Sequence, residues 1–163
     1  MSATCFLALC RERHSLSSPM SYAFRFLDDI AIADIAFEAE GDSAEELFVG
    51  ATRALLEVLA NPVTIADAWQ RQVLKREGNL DDLLIEWLSE IVYWKDAAGV
   101  VFRDAPLTLC CENGGWTMKA TLIGAPVDGE RQELRNDVKG ITKHQYRMER
   151  NGPMWKVTVV VDV

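Results

Sequence analysis

The sequence predicts an α+β fold in two layers, with two long helices packed on mainly antiparallel strands. Three observations predict it. The stretches after Ser43 and after Asn79 each show a capping residue, two acids and then apolar residues at helical spacing. Ile35 to Glu40 alternates apolar and polar positions with a period of two. From Gly99 onward the chain is strand and turn alone.

In chain order, residues 1–20 show no periodicity. Cys5 to Cys10 is apolar but too short to span a membrane, and it lacks the basic leader of a signal peptide. The segment reads as a disordered extension, with a short amphipathic docking segment as the alternative, and 21–163 reads as the folded domain. Tyr22 to Leu27 alternates aromatic with small or polar residues, as a strand does. Leu27 to Asp34 then sets Asp28, Asp29 and Asp34 among small and apolar residues. In the strand that follows, Ile35, Phe37 and Ala39 share one side; Ala36, Glu38 and Glu40 share the other.

The first helix begins at Asp42 or Ser43. Ser43 and Glu46 fit a capping box, and Glu45 and Glu46 suit the positive end of the helix dipole. Leu47, Ala51, Leu55, Val58 and Leu59 form its apolar stripe until Asn61-Pro62 stops it. Between Val63 and Gly78 a helical turn over Ala66 to Gln72 and a strand over Val73 to Arg76 are expected. Asn79 caps the second helix, Asp81 and Asp82 sit in its first turn, and Leu83, Leu84, Trp87, Leu88, Ile91 and Trp94 line its face. The repeated cap signal suggests a duplicated unit, each a strand, a helix and returning strands. Strands over Val100 to Arg103, Leu107 to Cys111 and Trp116 to Gly124 precede a loop at Asp128 to Arg131. Asp137 to Met148 and Trp155 to Val163 form a hairpin around Asn151-Gly152-Pro153. In the last strand Trp155, Val157, Val159, Val161 and Val163 share a face; Lys156, Thr158 and Asp162 share the other, with Val160 among them.

Composition narrows the function. Apolar residues at 49% and charged residues at 26% of 163 describe one globular domain with a core that needs no staples. A net charge of −8 repels phosphate backbones, so strong direct nucleic-acid binding is disfavoured and any work on RNA passes through a protein partner. Cys5, Cys10, Cys110 and Cys111 form no Cys-x-x-Cys, and His14 and His144 are the only histidines, which argues against zinc. The thiols read as reduced and cytosolic. Trp69, Trp87, Trp94, Trp116 and Trp155 look too scattered for a base-stacking platform. Ser43 has no partner histidine and reads as a cap. Lys139 and His144, five apart on one expected strand, would face opposite sides, leaving Lys139 as the functional candidate and His144 as structural.

The acids converge if the last strand pairs beside the first ones. Asp28, Asp29 and Asp34 would then close over Asp162 and the terminal carboxylate of Val163. Such an all-oxygen set suits Ca²⁺, Mg²⁺ or Mn²⁺ and disfavours zinc. The plain alternative is a solvated terminus with unrelated loop acids. Asp42 is a further contributor, although a helix-cap role accounts for it.

Phe26 to Phe48 resembles the first signature of the archease family in its bacterial form, and Asp81 to Tyr93 resembles that family's second helix. Gly124, Glu130-Arg131, Asp137 to His144 and Val159 to Val163 resemble its later motifs in the same order, so the likeness covers residues 22–163. Two departures stand out. Many members carry Leu-Asp-His-Thr-Ala-Asp, whereas this chain has no histidine and two extra residues between Leu27 and Asp34. The family's Glu-Arg-His is Glu130-Arg131-Gln132 here.

The resemblance implies interleaved strand–helix–strand–strand units and a protein without catalysis of its own. It implies a cytoplasmic activator of a GTP-dependent RNA ligase in tRNA splicing or RNA repair, promoting guanylylation of the ligase histidine and repeated turnover. It further implies a divalent cation held by the corresponding acids, with calcium first and magnesium or manganese as alternatives. A chaperone-like modulator of a tRNA methyltransferase is the alternative partner role. Two other classes remain open: a metal-dependent hydrolase using the clustered carboxylates, and a metal-binding protein with no ligase role.

Overall fold

In a computed structural model, residues 19–28 and 34–163 are described; residues 1–18 of the expected extension over 1–20 and the candidate Asp29 lie outside the described residues. The alternating segments pair as expected. β1 (Tyr22–Leu27) and β2 (Asp34–Gly41) form an antiparallel pair, and α1 (Ala44–Leu59) follows. A single 3₁₀ turn, Pro62–Thr64, leads to β3 (Trp69–Glu77), and then come α2 (Leu80–Ala98), β4 (Val100–Asp104), β5 (Leu107–Glu112) and β6 (Gly115–Pro126). β7 (Gly140–Asn151) and β8 (Met154–Asp162) close the chain.

The strands make two antiparallel sheets, one in the order β1-β2-β8-β7 and the other β3-β6-β4, with β5 also on β6. This is the interleaved duplication. β2, α1, β7 and β8 form one strand–helix–strand–strand unit, and β3, α2, β5 and β6 form a second, inserted between α1 and β7 of the first. Each helix packs on the sheet of its own unit. Their apolar stripes meet the inner faces in one core, in which Phe37, Phe48, Trp87 and Phe102 are almost fully buried.

Local chemistry sets the helix ends. Ser43 Oγ accepts the Glu46 N–H at 3.1 Å. The return half of the expected capping box is not made, because the Glu46 carboxylate accepts the Ser21 N–H at 3.1 Å and ties α1 to the start of β1 instead. At α2 the cap is reciprocal: Asn79 Oδ1 accepts the Asp82 N–H at 2.9 Å, and Asn79 Nδ2 donates to the Asp82 carboxylate at 2.9 Å. Gly99 ends α2 in the left-handed region, φ 62°, where glycine carries no Cβ penalty. The C-terminal carbonyls of α1 find donors far along the chain. The backbone N–H groups of Arg135 and Asn136 donate to Leu59 and Val58 at 3.0 and 3.2 Å, and the Arg135 guanidinium donates to the Glu57 carbonyl at 3.0 Å.

Four expectations are corrected. Ala66 to Gln72 is not a helical turn: the only turn nearby is Pro62–Thr64, and β3 already begins at Trp69. The tryptophans are not all scattered, because β3 packing on α2 brings Trp69 and Trp94 to 6.2 Å between ring centroids. Cys110 is disulfide-bonded rather than a reduced thiol, while Cys111 is a free, exposed thiol. Finally, β7 is not one regular strand. Its register against β8 shifts between Thr142 and Arg147, with Gln145 at φ 57°, so the parity that set Lys139 against His144 does not carry through.

One buried polar link joins the helices. Thr52 Oγ1 donates to the Phe48 carbonyl at 2.6 Å and accepts the Trp87 indole N–H at 2.8 Å, with Thr52 2% and Trp87 0% exposed. Thr52→Val keeps the shape and strands the indole N–H, so it should cost about 1–3 kcal/mol. An unchanged denaturant midpoint for this variant would contradict that role.

Candidate functional site

The site is built by strand register. β8 lies between β2 and β7, with Asp34 opposite Asp162 on one side and Gly140 opposite Asp162 on the other. Directly opposed residues on antiparallel strands lie about 4.5–5.5 Å apart at Cα and point to the same face. The inward face of this register is apolar: Ile35, Phe37 and Ala39 meet Val161, Val159 and Val157 and pack in the core. The alternation therefore turns Asp34 and Asp162 to the outer face together. Asp28 follows Leu27, whose partner is Ala36, so it too stands at this end of the sheet. Val163 comes directly after Asp162, and its side chain packs against the core.

The candidates divide accordingly. Asp28, Asp34, Asp162 and Val163 share one end of the sheet, and Asp29 is outside the described residues. Asp42 is not brought to them: it follows the opposite end of β2, an eight-residue strand, roughly 25 Å away. Among the described residues, no three His, Cys, Asp or Glu side chains cluster closely enough to hold a metal ion. The described part of the site is thus a facing carboxylate pair with further acids at its margin.

Lys139 reaches the site by its backbone. Its N–H donates to the Asp162 carbonyl at 2.8 Å, and its side chain is exposed. The segment leading to it is pinned at three points. Lys95, near the end of α2, pairs with Asp137 at 2.6 Å; Val138 is fully buried; and the Asn136 amide donates to the Val58 carbonyl at 2.9 Å. Burial pushes the Lys95 ammonium down, but hydrogen bonds to Asp137 and Asp96 outweigh it and hold its pKa above the usual value. The hydrogen bond from Lys95 in turn holds the Asp137 carboxyl below its usual range. Nothing local in the sequence marks Gly140 or the Lys95–Asp137 pair; the Asp137 to Gly140 motif is the available signal. Gln132 braces a loop: its side-chain amide donates to the Pro126 carbonyl at 2.9 Å and accepts the Asp128 N–H at 2.8 Å.

The rest of this outer face is charge-compensated. Glu38, 8% exposed, lies 3.1 Å from Arg25 and 3.0 Å from Lys156. Asp34 and Asp162, on the same face, make no ion pair among the described residues. Like charges directly opposed across a sheet destabilise it, so the pair is a place where a cation is favoured. Carboxylate oxygens without imidazole or thiolate fit a hard divalent ion.

Fold and site together define a small α+β protein with an acidic strand end. The sequence profile of the Archease protein family (MTH1598/TM1083) matches residues 24–163. The chain belongs to the archease family. It is 30% identical over 141 residues to protein archease of Methanosarcina barkeri, covering 86% of this chain and 95% of that one. It is 32% identical over 132 residues to protein archease of Pyrococcus abyssi, covering 80% and 93%. The solution structure of protein 1598 of Methanobacterium thermoautotrophicum superposes with a TM-score of 0.72 at 26% identity, over 86% of this chain and 98% of that one. A crystal structure from Thermotoga maritima, described as an archease and possible chaperone, gives a TM-score of 0.56 at 23% identity, over 85% of this chain and 98% of that one.

The Glu38 cluster sets a pH dependence. Burial raises the Glu38 carboxyl, but its bonds to Lys156 and Arg25 outweigh burial and hold its pKa below the usual 4.5. A depressed folded value means that the stabilisation is complete above the unfolded value and is lost as pH falls through the folded one. Melting temperature should therefore fall on acidification below 4.5, and Glu38→Gln should flatten that acid limb. An acid limb identical in the variant would show that other carboxylates set it.

Proposed function

We propose that this chain is an accessory activator of a GTP-dependent RNA ligase, with no catalysis of its own. It promotes guanylylation of the ligase histidine and repeated turnover, in cytoplasmic tRNA splicing or RNA repair. Family membership supports the reading, and the observation that carries it is the Asp34–Asp162 pair, opposed in register without a counter-cation among the described residues. Asp34 and Asp162, with Asp28, Asp29 and the carboxyl group of Val163, would hold a divalent cation, calcium or else magnesium or manganese. When bound, that ion neutralises the opposed carboxylates and offers a hard positive centre for oxygen donors of the partner.

The chain's own residues supply position. Val138 and the Lys95–Asp137 pair hold the segment whose Lys139 N–H meets Asp162, so the strand end keeps its shape when a partner closes on it. The net charge of −8 suits approach to a basic RNA-binding protein. Ser43 has its hydroxyl in the cap of α1, which supports an accessory role over a nucleophilic one. The words possible chaperone on the Thermotoga maritima structure suit a second reading, a chaperone-like modulator of a tRNA methyltransferase.

A ligation assay with the cognate ligase, GTP and Mn²⁺ separates these. Added protein should speed guanylylation and permit multiple turnover. Asp34→Ala, Asp162→Ala and Asp29→Ala should each weaken Ca²⁺ and Mn²⁺ binding by calorimetry and impair activation while the fold survives. An unchanged ligase rate would favour the methyltransferase role, and unchanged cation binding in all three variants would place the ion elsewhere.

A further inference from the structure

β3 has a chemistry that neither the core nor the acidic strand end uses. It pairs with β6 along its length and, among the described residues, with nothing on its other side, so alternate N–H and C=O groups point outward. Two of the other outer strands, β5 and β7, are obstructed. The Leu109 N–H of β5 is taken by the Glu45 carboxylate at 3.0 Å, and β7 is broken by its register shift. Only Val73 of the nine β3 residues is buried, and Leu74 is 54% exposed. Arg71, Lys75 and Arg76 against Glu77 make the strand basic within a chain of net charge −8. Two of these cations are held in place along the edge: the Arg71 guanidinium sits 4.0 Å from the Trp94 ring centre, and Lys75 pairs with Glu90 at 2.6 Å.

We propose that the β3 edge docks an extended acidic segment of a partner protein, which adds to the sheet as a further strand. Main-chain bonds to the open edge supply affinity. Carboxylates four residues apart on the incoming strand face Arg71 and Lys75, which are roughly 13 Å apart along β3. On the opposite face an apolar side chain lies beside Leu74, with an acid near Arg76. A second copy of this chain suits the edge poorly: antiparallel β3–β3 pairing centred on Val73 sets Arg71 opposite Lys75, like charge against like. A nucleic acid suits it poorly as well. Arg71 covers one face of Trp94 and Trp69 leans on it, leaving little ring face for bases, and the net charge repels phosphates. The surface goes beyond the ligase reading, and its test needs no ligase.

The test is a titration of the full chain, followed by backbone amide NMR, with a peptide as long as β3 that is valine except for glutamates at the positions facing Arg71, Lys75 and Arg76. Its lysine-for-glutamate counterpart, its fully N-methylated counterpart and a single-stranded oligouridylate are run beside it. The glutamate peptide should shift the amides of Trp69 to Glu77. Arg76→Glu, at an exposed side chain, and the double variant Arg71→Glu with Arg76→Glu should weaken it, the double by at least about tenfold. N-methylation, which removes the peptide's main-chain donors, should abolish binding. Equal binding by the N-methylated or the lysine peptide, binding by the oligouridylate alone, or no shift in β3 with the glutamate peptide would each overturn the proposal.

Discussion

The structure depends on one pairing, β2 with β8, between segments near the two ends of the chain. Its register runs from Asp34 opposite Asp162 to Gly41 opposite Trp155. A slip of one residue would turn Phe37, Val159 and their apolar neighbours to solvent and drive Glu38 and Lys156 into the core. Burial of that apolar face therefore fixes the register, and the register fixes Asp34 against Asp162. The acidic pair is a consequence of core packing rather than of any contact between the acids. The pairing also encloses the inserted unit from β3 to β6, so the sheet closes only after a long excursion of chain, a topology that slows folding.

Where local chemistry decides an element, the sequence was a good guide. Caps at Ser43 and Asn79 with apolar stripes behind them marked both helices, and the period-two stretches marked β2 and β8 and the face each buries. β3 was read only in its second half. It is an edge strand with a single buried residue, so neither face shows the alternation that a half-buried strand carries, and polar residues such as Gln70, Arg71 and Gln72 fit a helical turn equally well. The β7 irregularity was also invisible, because Gln145 carries no glycine-like signal for its positive φ. Gly124 shows the opposite case: a Cβ there would stand 2.0 Å from the Val101 carbonyl, so that position needs glycine to let β4 approach β6.

The opposition of Asp34 and Asp162 is legible because it needs only a pairing rule: if β8 lies beside β2, these two acids face each other. What holds the neighbouring segment is not, since Lys95 and Asp137 are 42 residues apart and Asn136 and Val58 are 78 apart, and nothing local announces either contact. The same limit hid the Trp69–Trp94 contact, made only when β3 lies against α2. Charge compensation is likewise a tertiary property. Glu38 and Asp34 have the same parity on one strand, yet Glu38 sits between Arg25 and Lys156 while Asp34 faces another acid. That contrast within one strand sets the acidic end of the sheet apart from its charge-compensated remainder.

Paramagnetic broadening by Mn²⁺ tests the central claim most directly, because it maps an ion onto the sequence without requiring a partner. At substoichiometric Mn²⁺, amide signals of Asp34, Gly140 and Asp162 should broaden first, and those around Glu38 and Lys156 should persist longer. Broadening centred elsewhere, or uniform weak broadening with no focus at the β2–β8 end, would contradict the claim that the opposed aspartates form the cation-binding, functional end of this protein.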